Sequence, residues 1–262
     1  MWNPFKSKPL LEEDDELFQV KTYRWLLTHF GGQHFYEDTQ LILPTEEYFP
    51  SKVNSPEEAA QETFEKVKSY AGLEKWPCTL QIQEEDPNLV VGETLIVQNV
   101  EHNPHGTFSV NEKDEAIITY TPKLAANPTQ MVATFAHELA HYLTSTATEP
   151  PPGSWDNWEF ATDIAATFLG FGIFQANSVF NFQQYSSAGT IGWQTTGGGY
   201  LSESEHSYSL GIFLTLKGIP PDIAYPHCDG NIKAFLKKAL KELEEKSHIN
   251  DLRKVKYIET NS

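Results

Sequence analysis

Cysteine is nearly absent from this chain: its 262 residues contain two, Cys78 and Cys228. Two thiols so far apart supply neither a disulfide framework nor a C-x-x-C metal knuckle, so both are read as free structural thiols. Methionine is equally scarce, with Met1 and Met131 the only two. Positive charge is short as well. Lys and Arg total 19 against 36 Asp and Glu, a net charge of −17 at pH 7. That balance argues against nucleic acid and anionic membrane surfaces as partners. Long apolar runs are also lacking. The most apolar stretch, Ile164–Phe174, is too short to span a bilayer and borders Asp163. The opening Met1–Pro9 has no apolar core and runs into the acidic Glu12–Glu16, so it is not read as a signal peptide. A soluble cytoplasmic protein is the expectation.

What is present suits a sizeable core, since 39% of residues are hydrophobic and 13% aromatic. Val20, Tyr23, Leu26, Leu27 and Phe30 recur at helical spacing, predicting a helix from Glu12 to Phe30 that Gly31-Gly32 ends. Leu41–Pro44 reads as a short strand or an extended link. Ser55-Pro56-Glu57-Glu58 is a capped helix start, with Gly72 as the stop. Strand signals follow at Thr79–Gln83, Thr94–Val100, Thr107–Val110 and Ala116–Tyr120. Beyond Thr121 the pattern turns helical over 128–144, 155–176, 201–217 and 229–246. Strands first and helices afterwards predict an α+β fold. The expected division is an N-terminal helical region, 1–75, and a main domain, 76–262. No internal repeat or long linker is visible. Lys233, Lys237, Lys238 and Lys241 fit the solvated face of the last helix.

The stretch richest in chemistry is His137-Glu138-Leu139-Ala140-His141. On a helix, the two histidines of H-E-x-x-H sit one turn apart on the same face and can reach one metal ion. Glu138 lies beside them, placed to take a proton from a water that zinc has made acidic. Asn127 or Thr129 could cap this helix, with Pro128 in its first turn. The next helical segment supplies the missing ligand type. It carries E-x-x-x-D, with Glu159 and Asp163 one turn apart. Between the two segments, Pro150-Pro151-Pro152-Gly153 breaks helix and permits a reversal. A catalytic zinc takes three protein ligands and keeps one position open. His137, His141 and Glu159 meet that requirement, with Asp163 holding the N–H of a ligand histidine. The alternative exchanges Glu159 and Asp163.

H-E-L-A-H followed by N-W-E-F-A-T-D resembles the gluzincin class of zinc metallopeptidases over about residues 115–176. The resemblance implies a zincin-like fold, with a small mixed or antiparallel sheet followed by a mainly helical C-terminal half. It implies one Zn2+ per chain on His137, His141 and Glu159, Glu138 as general base, and Asp163 behind a ligand histidine. It also implies that strand Ala116–Tyr120 borders the cleft and offers a free edge to an extended peptide; from its residues alone the strand reads equally as a plain core strand. The metzincin extension is excluded, because Thr144 and Ala147 stand where it needs Gly and His.

The expected activity is zinc-dependent hydrolysis of peptide bonds in a peptide or protein substrate. The alternative is a non-proteolytic zinc-binding regulatory or interaction protein, and a regulatory protein partner fits either reading. For the donor that stabilises an oxyanion, the candidates are His206, Tyr200, Tyr208 and His227, in and after the glycine-rich turn Gly197–Gly199. His206 is taken as the catalytic candidate among them.

Overall fold

A computed structural model describes residues 8–50, 55–83, 106–111, 115–186 and 201–258, with side chains of the last helical turns from 180 to 186 left aside. The predicted strand 94–100, Gly197–Gly199 and Tyr200 lie outside the described residues.

The chain opens with α1 (Glu13–Leu26), which passes into a π turn (Leu27–Gly31) and then α2 (Gly32–Glu37). The helix expected to stop at Gly31-Gly32 therefore changes direction there and restarts. Helix α3 (Pro56–Tyr70) begins as its sequence predicts: Pro56 is the first residue, and the Ser55 hydroxyl accepts from the Glu58 N–H. Three short strands follow, β1 (Cys78–Ile82), β2 (Gly106–Val110) and β3 (Ala116–Tyr120). They form one sheet in the order β1-β3-β2, with β1 parallel and β2 antiparallel to β3. β3 is therefore the central strand. Both its edges are paired, so the free edge expected of it does not exist.

The remaining long elements among the described residues are helices: α4 (Pro128–Ser145), α5 (Trp158–Ala166), α6 (Gly172–Ser186), α7 (Glu203–Lys217), the short α8 (Pro221–Ala224), α9 (Gly230–Glu244) and α10 (His248–Leu252). The single helix read over 155–176 is three pieces. A 3-10 turn at Trp155–Asn157 leads into α5, and a π turn at Thr167–Phe171 separates α5 from α6 where Gly170 leaves helical conformation (φ 103°). The architecture is mixed α and β, mostly helical, with one small sheet.

Burial explains the arrangement. Ala116, Ile118 and Tyr120 alternate inward along β3. Tyr120 meets Phe135 of α4 edge-on at 5.9 Å, and Phe64 of α3 meets the same ring at 5.5 Å. Helix α4 is buried around its whole circumference from Gln130 to His141. The N-terminal helices join this core: Tyr23 packs on Phe168, and Phe35 stacks on Phe168 and meets Phe213 edge-on. One apolar cluster runs from Leu11 to Leu252. No helix among the described residues is long and apolar enough to cross a membrane.

Candidate metal centre

Helix α4 starts where Asn127 Oδ1 accepts the Gln130 N–H and Pro128 occupies the first position. Of the two predicted caps, Asn127 is the one used. One turn of α4 then separates His137 from His141, whose rings meet edge-on at 4.7 Å between centroids. The link after α4 reverses through Pro150–Gly153, and α5 packs back on α4. Trp158 fastens the reversal, donating its Nε1–H to Thr144 Oγ1 at 2.8 Å.

Packing α5 on α4 brings the predicted ligands together. Glu159 Oε2 lies 3.3 Å from His137 Nε2 and 3.2 Å from His141 Nε2. One ligand atom from each of the three residues lies within 4.8 Å of the others, so the group could hold a metal ion. The donor chemistry fits one. His137 Nδ1 lies 2.9 Å from Asp163 Oδ1, so a ring proton sits on that side. Nε2 faces the Glu159 carboxylate, where either a second ring proton or a metal ion joins the two. Bonds of about 2.0–2.1 Å at tetrahedral angles separate ligand atoms by about 3.3 Å, which matches the two spacings from Glu159 to the histidines.

The electrostatics point the same way. Burial opposes charge on His137, but Asp163 and Glu159 outweigh it and hold its pKa well above the ordinary histidine value. Burial would raise Glu159; His141 and His137 overcome that and hold it well below the usual carboxylate range. Acceptors that favour a proton at this spot also favour a metal ion in its place.

Asp163 is 2% exposed and saturated from both sides. Its Oδ1 takes His137, and its Oδ2 accepts the Leu201 backbone N–H at 2.9 Å. His206 lies on that second side, with Nε2 3.6 Å from Asp163 Oδ2. It is fully inside the protein, and its Nδ1 has no partner among the described residues. Burial and the neighbouring His137 keep its pKa below the ordinary value despite Asp163.

Glu138 is 6% exposed and faces β2. Burial raises its pKa, His137 and His141 oppose this, and Glu159 adds to it. Gly106 makes the close approach possible. A Cβ there would stand 3.3 Å from Glu138 Cγ, 2.7 Å from Thr134 Cγ2 and 2.8 Å from the Thr119 carbonyl oxygen.

The other oxyanion candidates among the described residues, Tyr208 and His227, sit in other surroundings. Tyr208 is completely buried, its pKa raised by burial and by the Glu16 carboxylate. His227 sits in a 3-10 turn, where its carbonyl accepts from Asn177. Two participants escaped the sequence reading. Thr162 Oγ1 lies 3.2 Å from His141 Nδ1, the place Asp163 fills for His137. Its signal was available, because a second ligand histidine also needs a partner behind it. The Leu201 amide left no signal, since every residue has one.

No family model, curated protein or solved structure matches the chain.

Proposed function

We propose that the protein is a zinc-dependent peptidase of the gluzincin kind, built on a zincin-like fold. The observation that carries this reading is the meeting of two imidazole Nε2 atoms and one carboxylate oxygen, with a second buried carboxylate, Glu138, adjoining them. His137, His141 and Glu159 would hold the ion. A nitrogen-rich set of three with a position to spare suits zinc better than magnesium or calcium, which favour oxygen. When bound, zinc makes a water acidic near neutral pH and polarises a carbonyl.

The chain's own groups do the rest. Glu138 takes the proton from the attacking water and passes it to the leaving amine. Its burial raises its pKa toward the range a base needs at neutral pH. Asp163 and Thr162 hold the Nδ1 sides of the two histidines, which keeps both Nε2 atoms turned to the site. Edge strand β2, beside Glu138 through Gly106, is the rail on which an extended peptide adds by backbone hydrogen bonds. Among the described residues, β2 pairs with β3 alone. His206, inside the protein against Asp163, supports that carboxylate.

The test is elemental analysis together with turnover. Wild type should carry about one zinc per chain and cleave peptides. Glu138→Gln should keep the zinc and lose turnover by a factor of about 100 to 10,000. A Gln variant as fast as wild type removes the mechanism. Zinc near zero after loading and dialysis removes the metal centre. Zinc at full occupancy without any cleavage leaves the non-proteolytic zinc protein.

A further inference from the structure

Aromatic rings continue outward from the metal site in an unbroken series. The His141 ring is stacked at 8° against Phe108 of β2, with centroids 6.5 Å apart, and meets Trp158 edge-on at 4.8 Å. Beyond Phe108 come Tyr142 at 5.5 Å and then Trp76, 4.9 Å from Tyr142. Beyond Trp158 comes Trp155, edge-on at 5.6 Å.

Two polar tips of this series are tied down. Trp158 Nε1–H goes to Thr144, and the Tyr142 hydroxyl goes to the Pro77 carbonyl at 3.1 Å. The ring faces offer apolar surface. Trp155 offers most, being 41% exposed although it is among the largest apolar side chains of the protein. Two ring contacts join it to His141, and it opens the 3-10 turn that leads into α5, four residues before Glu159 (159 − 155), whose side chain is 45% exposed.

We propose that Trp155, with Trp158 behind it, forms a subsite for an aromatic side chain of the substrate, within two residues of the bond that is cut. The proposal rests on the peptidase reading above. In an extended peptide, side chains on one face repeat about every 7 Å, so a peptide lying along β2 brings a second side chain within reach of a ring two contacts from His141. An aromatic group gains from edge-on and offset packing on such rings. A carboxylate would lose hydration there and meet the Glu159 carboxylate's like charge.

The test uses the full chain loaded with zinc and a mixed peptide library, with cut sites read by mass spectrometry. Phe, Tyr and Trp should be enriched about tenfold within two residues of the cut bond. For a matched pair of peptides differing only in Phe or Ala at that position, Trp155→Ala should collapse the kcat/KM ratio toward one. Trp155→Phe should restore most of it. Cleavage without aromatic enrichment, or a ratio that Trp155→Ala leaves unchanged, overturns the subsite and leaves the peptidase standing.

If the zinc-loaded chain cuts nothing, the peptidase reading fails and binding decides the subsite. Saturation-transfer NMR would then compare Ac-Gly-Phe-Gly-NH2 with Ac-Gly-Ala-Gly-NH2 on the Glu138→Gln protein. Preference for the Phe peptide that disappears with Trp155→Ala supports the subsite, and equal binding overturns it.

Discussion

Replacing Asp163 by Asn changes almost no volume and yet breaks the proton arrangement behind the metal centre. The two carboxylate oxygens accept from two different donors, His137 Nδ1–H and the Leu201 backbone N–H. An amide has one accepting oxygen and an NH2 group that only donates. Whichever way the new amide turns, one of those donors meets another donor. Two outcomes are open to the protein. Leu201 loses its partner in a buried setting, at a cost of about 1–3 kcal/mol of stability. Otherwise His137 moves its proton to Nε2, where a metal ion would bind. Loss of such a partner behind a ligand histidine weakens metal affinity about 10- to 100-fold, equivalent to about 1.4–2.7 kcal/mol. The assay is zinc competition against a chelator of known affinity, paired with denaturant unfolding of the metal-free protein. Affinity within twofold of wild type, together with unchanged unfolding free energy, would refute the reasoning.

Other perturbations test separate parts of the structure. Glu159→Ala should weaken zinc retention at least as much as Asp163→Asn, roughly 10- to 100-fold or more; full occupancy at low free metal would move the third ligand elsewhere. Gly106→Ala places a methyl group against Thr134 and the Thr119 carbonyl, so unfolding should come about 1–3 kcal/mol more easily. Glu16 is held by Lys246 and, at 2.9 Å, by His248. Burial would raise its pKa, but those partners overcome it and leave it below the ordinary value of 4.5. A carboxylate with a depressed folded pKa contributes stability above its unfolded pKa, and that contribution vanishes as pH falls through the folded value. Glu16→Gln should therefore cost roughly 1–3 kcal/mol near neutral pH, with the gap to wild type closing in acid. A gap that stays constant down to about pH 3, below the unfolded carboxylate range, would show that the pairs are not the cause.

Much of the centre was legible because its grammar is local. H-E-x-x-H and E-x-x-x-D each use the one-turn spacing of a helix, so each pair of residues shares a face wherever that helix lies. The Asn127-Pro128 start and the Ser55-Pro56 start were legible for the same reason, since caps act within a single turn. Helix continuity was less legible. The π turn at Thr167–Phe171 keeps helical composition while the chain changes direction at Gly170, so periodicity alone merged α5 with α6.

By itself, then, the sequence determined which residues could act as a group: two histidines, a glutamate between them, and a glutamate–aspartate pair downstream. Only the tertiary structure decided which atoms meet. Packing α5 on α4 set Glu159 between both Nε2 atoms and gave Asp163 to His137 and Thr162 to His141, and the start of α7 brought Leu201 and His206 to the outer side of Asp163. It also put β3 in the middle of the sheet and left β2 beside Glu138. Strand order and helix docking depend on which apolar faces bury each other across long separations in the chain. That choice is made by the whole core at once and has no signature within any one segment.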